Sequence, residues 1–546
     1  MSGVVMVKTI SKLVVALVFT IIQLPVSVAA VLPPKNSWLA DSIYALGHGD
    51  SAQQDAVAVA GPSGPSRALS PNEIQYRHVG PAHFGTQISS PYPNGKRVFW
   101  GNGLDRIVKM DHDSFVVLDE YIFDPNVRYS AAQADEAIEY FDDNNDGFFG
   151  IVRAYREAQK LRDLSGVYTV LDRDNIYYIG SKEGVISAYG DKVAGDQSSA
   201  IEKKREFKLP AGVTGLMVGM NMTFDGWLVV ATEHGWVVAV KRDFSEYRLA
   251  KMRHSDGAEQ KATRATGYGW VRNGFAIDKD GGIYIASQAH IHKLVWTGSA
   301  ISTQESAGAW VEPYNNEWGH GTGATPSLMG FGGEDQFVVI TDGAELMNVT
   351  LFWRNTIPED WKQIESTPSF RIAGLLPANM GNPDISAIQS EQSVVVAGYS
   401  ALVVNNKPRN APWYLPERAQ TLLISFLGSN PRYQPFGVQK FEWNPENKKL
   451  EMAWVNNDVS SPSCVPIISY ASKRVYLIGA RDDQWTLEAI DLDTGESDFH
   501  YVIGGQRYNV LFAGTLLDED GRIHYGTHWG RVRLVPGNEL PAQSVH

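Results

Sequence analysis

Two histidines, four asparagines, a threonine and an aspartate interrupt stretches that are otherwise apolar or rich in glycine. These are the side chains placed to do chemistry. His83 stands within 82–86, and His320 within 319–326, a segment that also holds Thr325. A neutral imidazole screened from water acts as a general base or binds a metal. The glycines around His320 let a ligand come close to the backbone. Asn221, Asn273 and Asn509 offer amides that can orient a polar ligand, and Asn457 and Asp458 precede a serine-rich turn at 460–463. Each also has a structural reading: a histidine bonded to a neighbouring element, or an asparagine shaping a turn at a strand start. His290 and His292 alternate along one strand and share a face, as a metal pair or as solvent-facing residues. The chain contains no nucleophile elbow, Walker loop or His-Glu-x-x-His helix.

A second oxygen-rich group occupies 142–147. Asp142, Asn144 and Asp146 alternate and Gly147 follows, which is the order of the first half of an EF-hand calcium loop. The twelfth position, where a bidentate glutamate belongs, is Arg153. Two readings stay open, a calcium loop or a polar connection between the helices that the pattern predicts over 131–141 and 151–161.

The chain carries a net charge of -13 and no basic run, so nucleic acid is excluded as a partner on electrostatic grounds. Its one cysteine, Cys464, excludes an intrachain disulfide, a Cys-x-x-Cys metal site and a Cys-x-x-Cys-His haem attachment. Residues 1–30 read as a signal peptide: Lys8 and Lys12, an apolar run from Leu13 to Ile22, Pro25, then small residues ending at Ala30. The competing reading is a membrane anchor, but ten apolar residues span only about 15 Å as a helix, half a bilayer core. No later segment is apolar enough to span a membrane. An exported protein, periplasmic or secreted, with no membrane span after processing is therefore expected.

The elements that must position these side chains repeat. A polar turn, a β-branched or aromatic strand, a second turn and another alternating strand recur near Asn94, Asp174, Asp225, Asp280, Glu334, Glu391, Ser472 and Asp520. Most steps are about 46–56 residues, and two near 80 contain insertions. A period near 50 with several strands per unit predicts an all-β fold, a β-propeller of eight blades, with seven as the alternative. The expected organisation is an extended arm at 31–80, the propeller at 81–537 and a tail at 538–546. A helical insertion is expected at 124–165, and a loop rich in proline and aromatics at 402–437. The arm includes His48 and Asp50, read as an exposed turn or a cap on the channel. Loops of every blade converge on the axis, so the polar residues named above become candidates for lining it.

Two stretches carry family resemblances. Residues 485–496, ending Asp491-Leu-Asp-Thr-Gly-Glu496, resemble the repeat of PQQ-like, quinoprotein alcohol dehydrogenase-like propellers. Residues 273–287 are similar to a stretch of the gluconolactonase, strictosidine-synthase and paraoxonase-like propellers. The second resemblance implies channel calcium held by Asn, Asp and Glu, with Asn273 as the best single ligand and a lactone or ester carbonyl polarised by the ion. The first implies a PQQ-like fold. The adjacent cysteine pair of many quinoprotein alcohol dehydrogenases is impossible here, so that fold is expected without PQQ. Two functions follow: an enzyme acting on a small organic molecule at the channel, as hydrolase, lyase or oxidoreductase, or a non-catalytic propeller that binds protein partners of the cell envelope.

Overall fold

Strands that need cover on both faces obtain it here from one another. The computed structural model describes residues 32–537 apart from 83–84, 161–166, 262–268, 389 and 416. The expected signal peptide, the C-terminal tail and His83 lie outside the described residues. Eight antiparallel sheets follow one another along the chain, with hairpin-linked strands spanning 86–122, 170–208, 217–251, 276–313, 327–377, 395–456, 467–504 and 516–534. They are the first to eighth sheets below, and the molecule is a β-propeller. In each of these hairpin-linked runs the first strand lies innermost, and several of these inner strands touch those of the next sheet. Second strands such as Val98–Asn102, Trp227–Thr232 and Phe337–Thr341 are buried at every residue, which explains their unbroken apolar runs. The fourth strand Ile201–Lys208 is mostly exposed and mostly charged.

The recurring turn has a specific chemistry. Asp278 Oδ1 accepts from the amides of Asp280 and Gly282 at 3.0 and 2.8 Å, and its Oδ2 accepts from the Tyr284 hydroxyl at 2.7 Å. Asp172 repeats the arrangement with Asp174, Ile176 and Tyr178, and Asp518 repeats it with Asp520, Arg522 and His524. A buried aspartate thus ties the first hairpin turn to a side chain six positions on. The residue three after it takes positive φ: Asn175 at 59°, Gly281 at 87° and Gly521 at 77°. At the polar turn of the seventh sheet, Asp491 accepts from Asp493 and Thr494, and Gly495 lies against Trp454 of the sixth sheet. A Cβ at Gly495 would stand 2.5 Å from that indole.

The N-terminal segment departs from expectation in two ways. Ile74–His78 pairs antiparallel with Gly530–Leu534 and completes the eighth sheet, so the propeller starts before residue 81 and both ends of the chain share one sheet. The residues before it are not an exposed arm. The amides of Ile88, Leu171, Ile277, Leu328, Val396 and Ile468 donate to the carbonyls of Tyr44, Ala45, Ser51, Ala52, Gln54 and Asp55. Six sheets therefore give an innermost-strand amide to one stretch of twelve residues, which fills the axis of the ring. The segment leaves across the seventh sheet, where Arg67–Ala68 pairs parallel with its outer strand.

Both insertions build helices. α1 (Ala131–Asp143) opens on a capping box of Ser130 and Gln133, and α2 (Gly147–Lys160) follows directly. A one-turn helix, α3 (Ala258–Lys261), lies beyond the third sheet. The second insertion, expected as a loop, contains α4 (Glu417–Leu427). Ile138, Phe141, Ile151, Leu423 and Phe426 share a core with Trp529, so α1, α2 and α4 form a cover beside the eighth sheet. None of these helices is long and apolar enough to cross a membrane.

Candidate active site in the central channel

The segments leading into the innermost strands converge as predicted, but most of their polar side chains are spent on the scaffold. Asn221 is fully buried; its amide donates to the carbonyls of Ser51 and Phe275 at 3.2 and 2.9 Å, and its oxygen accepts from the Met222 amide. Asn273 turns its N–H groups toward the carbonyls of Thr322 and Ala324. Asn509 Oδ1 accepts from the His528 amide. Asn457 and Asp458 are exposed, and Asn457 donates to the Met380 carbonyl at 2.8 Å. His320 stacks near Trp318, with ring centroids 4.2 Å apart, and its carbonyl accepts from Arg272. Of the predicted set, Thr325 reaches the functional cluster: its hydroxyl lies 3.0 Å from that of Tyr168, which comes from the second sheet across to the fifth.

The segment expected as a calcium loop takes another form. α1 runs through Asp142 and α2 begins at Gly147, leaving three residues where the motif needs an open loop of about twelve. Asp142 accepts from the Gln506 amide, Asn144 donates to the Tyr140 carbonyl, and Asp146 accepts from Tyr433 and Arg432. These oxygens point to different partners and do not surround one ion. His292 is buried against Ser287, while His290, with its ring centroid 6.1 Å from that of His292, stacks on His254. A third group, His112, Asp518 and Asp520, has Arg522 in its midst, bonded to Asp518 at 2.6 Å and lying 3.0 Å from His112. That guanidinium already supplies the positive charge there.

The central cluster comes from the arm. His48 Nδ1 lies 2.6 Å from Asp55 Oδ2, and its Nε2 lies 3.3 Å from the Ser393 hydroxyl of the sixth sheet. Ser393 Oγ also accepts from the Thr325 amide at 3.1 Å. The Asp55 side chain is fully buried, whereas His48 keeps 11% of its side chain exposed. Burial pulls the imidazole pKa down, but the Asp55 charge and hydrogen bond outweigh it, and the net shift is upward. Beside them, burial pushes the Asp50 carboxyl up to about 7. The arm holds strained backbone here: His48, Gln53 and Asp55 have φ of 63°, 61° and 54°. A serine hydroxyl, an imidazole and a buried carboxylate in sequence make a nucleophile–base–orienter arrangement. The sequence displayed His48 and Asp50 but not their destination, since Ser393 stands 345 positions away.

A quinone cofactor with its calcium needs an open aromatic face and a set of oxygen ligands. Tyr168 instead crosses to Thr325, and Asn221 and Asn273 present N–H groups to backbone carbonyls. The residues present do not fit that group.

No protein-family model matches the chain. An uncharacterized protein of Archaeoglobus fulgidus is 33% identical over 510 residues, covering 92% of this chain and 89% of that one. Among solved structures, quinohemoprotein alcohol dehydrogenase from Comamonas testosteroni superposes with a TM-score of 0.50 at 12% identity, covering 94% of this chain and 82% of that chain. A quinohemoprotein alcohol dehydrogenase from Pseudomonas putida gives 0.49 at 10% identity, with 94% and 82% covered. The structural likeness establishes the PQQ-like propeller fold alone. With a third of its residues identical over nearly its whole length, the chain belongs to the same family as the Archaeoglobus fulgidus protein.

Proposed function

We propose that the protein is an exported enzyme that hydrolyses a small ester or lactone at the channel axis, with Ser393 as nucleophile, His48 as general base and Asp55 as orienter. The observation that carries this reading is His48, whose two ring nitrogens meet a buried carboxylate and a hydroxyl. In the forward step Ser393 Oγ attacks the acyl carbon while its proton passes to His48 Nε2. The same proton then goes to the departing alkoxide, and water activated by His48 releases the acid and restores Ser393. The Thr325 amide, already aimed at Ser393 Oγ, favours the developing alkoxide there.

The test is a fluorophosphonate probe on the full chain, followed by mass spectrometry, with a chromogenic ester and lactone panel alongside. Labelling at Ser393 that disappears in His48→Gln, with turnover lost in both Ser393→Ala and His48→Gln, supports the reading. A well-folded protein that takes no label and turns over no ester or lactone overturns it.

A second reading draws on one surface feature. Phe148, Phe149, Trp413 and Tyr414 on the helical cover are 62%, 75%, 91% and 47% exposed. Aromatic side chains left open in one region suit a protein-binding propeller of the envelope. In that reading His48 and Asp55 serve only to hold the arm.

A further inference from the structure

Most buried arginines among the described residues are answered, and even Arg354, whose Nε and Nη1 lack partners, donates to Gln336 through its other nitrogen. Arg533 donates to Gln75 and to the carbonyls of His112 and Asp113. Arg106 pairs with Asp105 at 2.8 Å and Glu120 at 3.0 Å. Arg531, on the third strand of the eighth sheet, is only 2% exposed, yet its Nε has no hydrogen-bond partner and its guanidinium makes no ion pair among the described residues. Its surroundings are the Phe99 ring, 5.9 Å from the guanidinium carbon, and the hydroxyls of Tyr44 and Tyr177, within electrostatic reach. Gly526 stands opposite Arg531 on the adjacent strand and brings no side chain to it. Burial without a counter-charge pulls its pKa down to about 9.

Other orphaned polar atoms gather at the inner ends of neighbouring sheets. Gln87 Nε2 in the first sheet and Asn509 Nδ2 ahead of the eighth lack partners, and both residues are fully buried. Ser460 Oγ ahead of the seventh and both polar atoms of Gln392 in the sixth are also unpaired. Gln87 connects to the Arg531 region through Thr169, which donates to its oxygen at 3.1 Å and stands beside Tyr177. A dry guanidinium with no anion is costly, and its fork matches the two oxygens of one carboxylate. Its neighbours are neutral amide and hydroxyl donors and include no second cation, which favours a monoanion over a phosphate dianion.

We propose that Arg531 anchors a binding site for a small organic carboxylate beside the arm, at the inner side of the eighth and first sheets, with the Gln87 amide as a second donor. The site stands on its own observations and does not depend on Ser393 being a nucleophile.

Thermal unfolding and calorimetric titration of the full chain with sodium acetate and sodium succinate test it, with sodium chloride and sodium phosphate at matched ionic strength as controls. A saturable rise in melting temperature with a carboxylate, absent with chloride and lost in Arg531→Gln, is the expected result. Arg531→Lys keeps the charge without the fork and should weaken binding at least about tenfold, which is about 1.4 kcal/mol. Should Arg531→Gln fail to fold, Gln87→Leu must show the weakened carboxylate binding instead. No saturable effect of either carboxylate, an effect unchanged in the variants, or an equal response to chloride overturns the proposal. A preference for phosphate overturns the assignment to a carboxylate.

Discussion

An imidazole held above its ordinary pKa is a stronger base, but it must shed its proton before it can act. His48 is shifted upward, so proposed turnover should fall as pH drops through a midpoint above 6.5. Asp55→Asn removes the charge that opposes burial, so the midpoint should drop below 6.5, and kcat/KM should fall on the order of 10³-fold or more as the imidazole loses its orienter. A kcat/KM–pH profile of both proteins checks this, and an unshifted midpoint would remove Asp55 from the mechanism. Little of this pairing was legible in the sequence. The polar residues ahead of the inner strands stand out in the sequence, yet Asn221 and Asn273 spend their amides on backbone carbonyls. A polar residue in an apolar run looks the same whether it meets a ligand or pins a neighbouring strand. His48 escaped because its worth depends on Ser393 and on where a strand-poor segment comes to rest.

At the level of the element, the repeat was legible as a period and as polar turns, but at three of those turns the sequence offers two aspartates. The first does more: Asp278 accepts two amides and the Tyr284 hydroxyl, while Asp280 is exposed. Asp278→Ala leaves those buried donors unanswered and should cost about 1–3 kcal/mol in urea unfolding. Asp280→Ala should stay within about 0.5 kcal/mol. Equal costs would show that the turn, and not the buried bonds, sets the stability of the hairpin. Helices over 131–141 and 151–161 were readable from their apolar spacing, while the structure extends the first to 143 and starts the second at 147. α4 was obscured by the prolines around it, although Pro416 immediately precedes it in the sequence, where proline is compatible with a helix start. The calcium motif departs from its pattern for an elementary reason: Gly147 takes the expected positive φ of 70°, but α2 starts there and puts the later ligand positions into a helix.

For the whole molecule, the decisive fact is that a segment of the chain itself fills the axis of the ring. No local pattern announces this, because residues 44–57 take their hydrogen bonds from six different sheets. Their docking should depend on pH in a direction that the buried groups fix. Asp50 holds its proton up to about 7 against an ordinary 3.8, so its contribution to folding is present at low pH and is lost as pH rises from 3.8 through 7. His48 acts in the same direction, its contribution being full below 6.5 and lost as pH climbs through its raised value. Elsewhere the sign is opposite. His524, held down to about 3 by burial, and the buried His292 and His528 stay neutral when folded and oppose stability as pH falls below 6.5. Global melting therefore mixes the two trends, and the arm needs a local readout. Hydrogen exchange of residues 44–57 should quicken between pH 5 and 8, after correction for intrinsic rates, relative to the strand 98–102. Asp50→Asn, neutral throughout, should remove much of that rise. Arm protection that is flat over this range, or unchanged by the substitution, would mean that backbone pairing alone holds the arm and that His48 and Asp50 play no part in its docking.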